Sequence, residues 1–200
     1  MKESVKPSAM KRSASGTPPT VYAFAKGVKE DPAQEETGVP VIVLPDERWG
    51  RVDMKTVNLL PNVLANERAV RAGAHEAVLV RDGIVTEGSH SNCWMVKGGV
   101  AMTHPKGPRI LPGVTRDNTF RAAAAAGIEA REGAFSLAQF RDADEVFLTG
   151  TTTGVLAVTT VDGRPVGDGR PGPVTRALAE AFRRVVQEEV ARVLATPAGR

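Results

Sequence analysis

The chain has 200 residues, 42% of them hydrophobic and 24% charged, which suits one large domain, or a domain plus a fragment, with enough apolar residues for a real core. Its net charge of +3 and pI of about 9.2 come from interspersed acidic and basic residues, so the balance argues against a nucleic-acid site and weakly favours a small anionic ligand. Cys93 is the only cysteine, which excludes an intrachain disulfide and fits a reducing, cytoplasmic setting; no apolar run reaches membrane length, and Met1-Lys2-Glu3-Ser4-Val5-Lys6 lacks the apolar core of a signal peptide.

Residues 1–19 are rich in Lys, Ser and Pro without periodicity and read as a mobile tail. Residues 20–26 alternate as a strand, and residues 27–37 read as a polar connection. A domain then runs over 38–200, opening with a strand through Val39, Val41 and Val43 that ends at Pro45-Asp46. Lys55 follows, among Val52, Met54, Val57 and Leu59. A lysine desolvated by such neighbours is a better amine nucleophile and suits Schiff-base chemistry, although a lysine at a strand end with its head in water has the same local sequence. Pro61 belongs in the first turn of a helix over 62–72, with Val63, Leu64 and Val70 as its apolar stripe and Gly73 as its stop.

Strands follow at 76–80 and 84–86 around the hairpin signal Asp82-Gly83, and at 93–96 and 100–102 around Gly98-Gly99. Cys93 reads as a small core residue. His75, His90 and His104 have no ligand spacing, so no metal site is expected. Thr115 is placed to cap a helix over 116–126 that Gly127 terminates. A short strand over 128–131, a brief helix capped by Ser136, and a strand over 144–149 lead into the turn Thr151-Thr152-Thr153. Strands at 156–160 and 164–166 flank Asp162-Gly163, and Pro173 opens a last helix. Its Val174, Leu178, Phe182, Val185, Val186, Val190 and Leu194 keep helical spacing, so one face packs on the domain.

Five segments carry a family resemblance. Lys55-Thr56-Val57-Asn58-Leu59-Leu60-Pro61-Asn62-Val63-Leu64-Ala65 resembles the lysine segment of class IV aminotransferases, pyridoxal-phosphate enzymes of fold type IV, and its wording is most similar to the D-amino acid branch. Glu87-Gly88-Ser89-His90-Ser91-Asn92, Thr103-His104-Pro105, Ile110-Leu111-Pro112-Gly113-Val114-Thr115-Arg116 and Asp144-Glu145-Val146-Phe147-Leu148-Thr149-Gly150-Thr151 match the same family in the same order, over roughly residues 20–186.

The resemblance implies an α+β (mixed α/β) fold, the strand-rich pseudo-barrel of the fold type IV large domain with flanking helices. It implies pyridoxal 5'-phosphate held by Lys55, with Glu87 on the pyridine nitrogen, Leu111 against the ring, and Gly113, Val114, Thr115 and Thr151 around the phosphate. Lys55 is then the catalytic residue, and Thr151 and Thr152 face the substrate carboxylate. It further implies a homodimer that exchanges the amino group of a D-alanine-like D-amino acid with a 2-oxo acid such as 2-oxoglutarate. Branched-chain aminotransferase and aminodeoxychorismate lyase activities stay open within the same fold. Residues 20–37 correspond to the end of a small N-terminal domain and the link to the large one, and the residues before Thr20 do not match the family pattern. A remnant that binds cofactor with impaired catalysis is therefore the alternative of a different class.

Overall fold

Alternation of apolar residues and turn chemistry decide most of the elements. The computed structural model describes residues 21–23 and 32–195. After a short helix α1 (Pro32–Thr37) come β1 (Val39–Pro45), α2 (Leu60–Arg71), β2 (Glu76–Arg81), β3 (Ile84–Gly88), β4 (Asn92–Lys97) and β5 (Val100–Thr103). Then follow α3 (Val114–Ala125), β6 (Ala130–Glu132), α4 (Leu137–Arg141), β7 (Glu145–Gly150), β8 (Gly154–Val161), β9 (Arg164–Pro165) and α5 (Pro173–Ala195). The tail expected over 1–19 lies outside the described residues. Of the strand expected over 20–26 only residues 21–23 are described, and they are not in regular structure. Part of the expected polar connection is the helix α1.

The β2–β3 turn needs positive φ at both central positions, and Asp82 (φ 53) and Gly83 (φ 75) supply it. Ser136 caps α4 through a reciprocal capping box: its hydroxyl accepts from Gln139 N–H, and the Gln139 side chain accepts from Ser136 N–H at 2.9 Å.

The strands form one mixed sheet in the order β3-β2-β1-β8-β7-β4-β5-β6, with β9 added to β8. β1 is parallel to both β2 and β8, while β3 on β2, β7 on β8, β4 on β7 and β5 on β4 are antiparallel. The sheet curls so that β3, at one edge, packs against β4, and the tight connection between them is closed by Gly88 N–H donating to Ser91 O at 2.8 Å. The interior is one apolar cluster fed by six of the strands: Val41, Val78, Val85, Cys93, Met95, Val146, Leu148, Leu156 and Val158, closed at one end by Phe135 and Phe140. This is the expected half-barrel of a mixed α/β fold.

Alternate residues of β4, β7 and β8 point the other way and bury themselves under helices. Trp94 stacks on Phe147 (centroids 5.3 Å apart), with Val155 beside them and Ala123 of α3 and Leu178 of α5 above. The Glu145 carboxylate fixes the start of α5 by accepting from Val174 N–H, Thr175 N–H and the Thr175 hydroxyl.

Three helix expectations need correction. α2 turns its alanines, not its larger residues, to the sheet. Ala65 and Ala69 pack on Ala77 and Leu79, whereas Val63, Leu64 and Val70 are 58%, 49% and 56% exposed. Small residues let the helix lie close to β1 and β2, and the larger apolar residues are left on the outer face. In α5 the expected face is covered only through Val185. Val190 and Leu194 are exposed because the 23-residue helix, about 35 Å long, outruns the sheet beneath it. Finally, α3 begins two residues early. Gly113 is its N-cap, and Thr115, expected as the cap, lies inside the first turn and is buried.

Candidate active site

Glu87 points from the penultimate position of β3 into the end of the half-barrel and is 4% exposed. Leu111 N–H donates to both of its carboxylate oxygens (3.1 and 3.0 Å), Asn92 Nδ2 donates to Oε2 (2.8 Å), and Arg48 Nη1 donates to Oε1. Burial pushes the Glu87 pKa up to about 7 against the opposing pull of the Arg48 charge.

Arg48 comes from the irregular segment after β1 and is the residue the sequence reading missed. It grips Asp46 twice, Nε to Oδ1 at 2.8 Å and Nη2 to Oδ2 at 2.9 Å, and also donates to Thr86 Oγ1 and Arg109 O. Asp46 has a second partner in Arg81 Nη2 at 3.0 Å. Burial works to raise the Asp46 pKa, but these cations outweigh it and hold the carboxyl below the ordinary range. The result is a buried chain of alternating charges, Arg81–Asp46–Arg48–Glu87. The only sequence signal for it is Asp46-x-Arg48 directly after a strand, a pattern too common to single out.

Asn92 ties the next segment on: its Nδ2 also donates to Leu111 O at 2.9 Å. A Cβ placed on Gly113 would stand 2.2 Å from Asn92 Oδ1, so only glycine lets the start of α3 come this close to β4. No side chain caps α3, which leaves the N–H groups of its first turn free to meet an anion at the positive end of the helix dipole.

Lys55 and Leu111 line one recess, with Arg48, Val52, Met54 and Asn58 among the other lining residues. Val52 N–H donates to Pro108 O at 3.0 Å and so seats the lysine segment on the loop that leads to Leu111. The expected desolvation of Lys55 does not hold in this chain. Its side chain is exposed, Val57 is 93% and Leu59 51% exposed, and of the four apolar neighbours only Val52 is buried. The segment is a series of bends rather than a strand end, so its apolar residues do not close over the amine.

Glu87, Leu111 and Gly113 are thus brought together through Arg48 and Asn92, Lys55 lines the same recess as Arg48 and Leu111, and Val114 and Thr115 follow directly in the first turn of α3. Thr151 and Thr152 are joined less tightly. Asn92 pairs with Thr149 across β4 and β7, which puts the turn over 150–153 at the same end of the sheet. Both threonines are exposed, and neither side chain hydrogen-bonds to the other site residues among the described residues.

A family model described as Amino-transferase class IV matches residues 4–161, which corrects the expectation that the residues before Thr20 lie outside the family pattern. The D-alanine aminotransferase of Bacillus licheniformis is 38% identical over 179 residues, covering 90% of this chain and 63% of that protein. That of Staphylococcus aureus (strain MSSA476) is 41% identical over 169 residues, covering 84% and 60%. The chain therefore spans about three fifths of the length of these curated relatives. Among solved structures, the branched-chain amino acid aminotransferase of Escherichia coli superposes with a TM-score of 0.66 at 36% identity, over 74% of this chain and 52% of that one. A branched-chain amino acid aminotransferase from T.th., solved with pyridoxamine 5'-phosphate, gives 0.71 at 32% identity, over 80% and 54%.

Proposed function

The chain belongs to the class IV aminotransferases, and from that premise we propose that it forms the cofactor-binding part of a pyridoxal-phosphate-dependent transaminase for a D-alanine-like D-amino acid and a 2-oxo acid. The observation that carries this reading is that Lys55 lines the same recess as Leu111 and Arg48, two of the residues that bond the buried Glu87 carboxylate.

The residues fit the cofactor. The uncapped first turn of α3 suits a phosphate, Leu111 offers an apolar wall to a ring, and Glu87 supplies a buried carboxylate for a pyridine N–H. When bound, pyridoxal phosphate supplies the electron sink for a carbanion at the substrate Cα. Lys55 would hold it covalently, and its amine, when free, would take up and give back the substrate Cα proton, as base and then acid. Glu87 keeps the pyridine nitrogen protonated, and Arg48 keeps Glu87 in place. Val114 and Thr115 hold the phosphate with Gly113 giving access, while Thr151 and Thr152 offer hydroxyls to phosphate or substrate carboxylate from the neighbouring turn.

Identity of 38–41% to D-alanine aminotransferases favours the D-amino acid substrate. Similarity to branched-chain enzymes supports the second reading, an L-branched-chain substrate. A homodimer is the assembly this reading expects, with the open apolar face of α2 as the surface to cover. Among the described residues no helix is long and apolar enough to cross a membrane.

Borohydride reduction after incubation with pyridoxal phosphate, followed by peptide mapping, tests the reading. The expected adduct is on Lys55 and is absent from Lys55→Ala; an adduct mapped to another lysine refutes the assignment. Conversion of the bound cofactor to its amine form by D-alanine but not by L-valine separates the two substrates. Because the relatives extend well beyond the matched region, slow turnover is expected of the 200-residue chain, rising when the remaining part of a D-alanine aminotransferase is fused to it.

A further inference from the structure

A second polar cluster lies beside this site and takes no part in the chemistry above. His75 precedes β2, Glu76 opens it, and His90 sits in the tight loop between β3 and β4. The antiparallel β2–β3 pairing, with Val78 opposite Gly88, folds the two histidines back onto each other. Their ring centroids are 6.0 Å apart, and one ligating atom from each of the three residues lies within 4.8 Å of the others.

Their hydrogen bonding is incomplete in a way that points inward. Glu76 is fully buried. Its Oε1 accepts from His90 N–H (2.6 Å), Ser91 N–H (3.0 Å) and, at 3.5 Å, the Ser89 hydroxyl, while Oε2 accepts only from the Ser91 hydroxyl (2.9 Å) and keeps a lone pair. Among the described residues, the sole basic group within ion-pair reach of this carboxylate is His90 Nδ1, at 3.4 Å. His75 Nε2 is buried with no hydrogen-bond partner, and His90 Nδ1 has only contacts of 3.4 Å, to Glu76 Oε1 and Ser89 Oγ. A buried carboxylate without a firm cation therefore sits among two imidazoles that each carry a nitrogen without a firm partner, and such groups require an explanation.

We propose that His75, Glu76 and His90 bind a divalent transition-metal ion of the zinc class. Two imidazoles and one carboxylate suit Zn²⁺, Co²⁺ or Ni²⁺ and leave a fourth position to water, whereas Mg²⁺ and Ca²⁺ want more oxygen ligands. Ligands on one tetrahedral zinc stand roughly 3.3 Å apart. Closing from 4.8 Å asks for a small rotation of His90, whose side chain is 45% exposed and free to make it. The bound ion pins the loop that joins Glu87 to Asn92, the two side chains already bonded to each other at the neighbouring site.

The test uses the full, untagged chain, stripped with chelator and without pyridoxal phosphate, so that its outcome is independent of the transaminase reading. Zn²⁺ is titrated by calorimetry and Co²⁺ by visible absorption. The expected result is one equivalent per chain with the intense bands of four-coordinate Co²⁺, at least tenfold weaker binding in His90→Ala and His75→Phe, and unchanged binding in His104→Ala. Absence of stoichiometric binding, equal affinity in His90→Ala, or loss of binding in His104→Ala overturns the proposal. If His75→Phe does not fold, His90→Ala decides alone, since its half-exposed side chain is not part of the core.

Discussion

Replacing Arg48 with methionine tests whether the buried charge chain holds the candidate site in shape. Arg48 is 7% exposed and is the only side chain that bonds both Asp46 and Glu87 among the described residues. Methionine keeps much of the volume but leaves Glu87 with Asn92 and Leu111 N–H alone, and Asp46 with Arg81, the Thr86 hydroxyl and the backbone N–H of residue 48. Breaking a buried pair by deleting one partner costs about 3–5 kcal/mol. For a chain of this size that lowers Tm by roughly 6–20 °C.

The loss should depend on pH. The Glu87 carboxyl has a folded pKa of about 7 against an ordinary 4.5, so the native state holds its proton more tightly than the unfolded state. Its contribution to stability is therefore greatest below the unfolded value and declines as pH rises to the folded one. Removing Arg48 takes away the charge that opposes burial, and the Glu87 pKa rises further. Each pH unit over which the variant keeps this proton and the wild type has lost it is worth about 1.4 kcal/mol. The Arg48→Met penalty is thus expected to be about 1 kcal/mol smaller at pH 6 than at pH 8. Urea unfolding followed by fluorescence of the buried Trp94 gives both numbers. A penalty under about 1 kcal/mol at pH 8, or an equal penalty at the two pH values, refutes the reasoning.

Other substitutions probe the remaining parts. Gly113→Ala drives a methyl to 2.2 Å from Asn92 Oδ1 and forces Asn92 off Glu87 and Leu111; pyridoxal-phosphate uptake should weaken at least tenfold while circular dichroism stays native. Ser136→Ala removes half of the capping box of α4 and should cost about 1 kcal/mol in urea unfolding, with no change in cofactor uptake. Leu64→Glu places a charge on the open face of α2; light scattering should show the wild type at twice the chain mass and the variant at the monomer mass, and a wild-type monomer would remove α2 as a dimer surface.

The sequence by itself determined the local elements and the chemistry on offer. Asp82-Gly83 can only turn a hairpin of this hand, Ser136 and Gln139 cap each other across three residues, and Pro61 and Pro173 suit helix starts, because each depends on the backbone of its immediate neighbours. Lys55, Glu87, Leu111 and Gly113 were likewise readable as segments in order. What depends on residues far apart in the chain had to wait for the tertiary structure. Helical spacing marked Val63, Leu64 and Val70 as apolar, but which face of α2 meets the sheet is decided by how closely β1 and β2 let it approach, and they take the alanines. The exposure of Lys55 is set by which surfaces close over its segment, and its own apolar neighbours cannot specify that. Arg48 gains its meaning only when the sheet sets β3 one strand away from β1 and the segment after β1 reaches across to Glu87, since a buried carboxylate must find its cation in space rather than in sequence. For the same reason His75 and His90 looked unrelated along the chain. They meet because the β2–β3 hairpin folds one strand back on the other beside the carboxylate of Glu76.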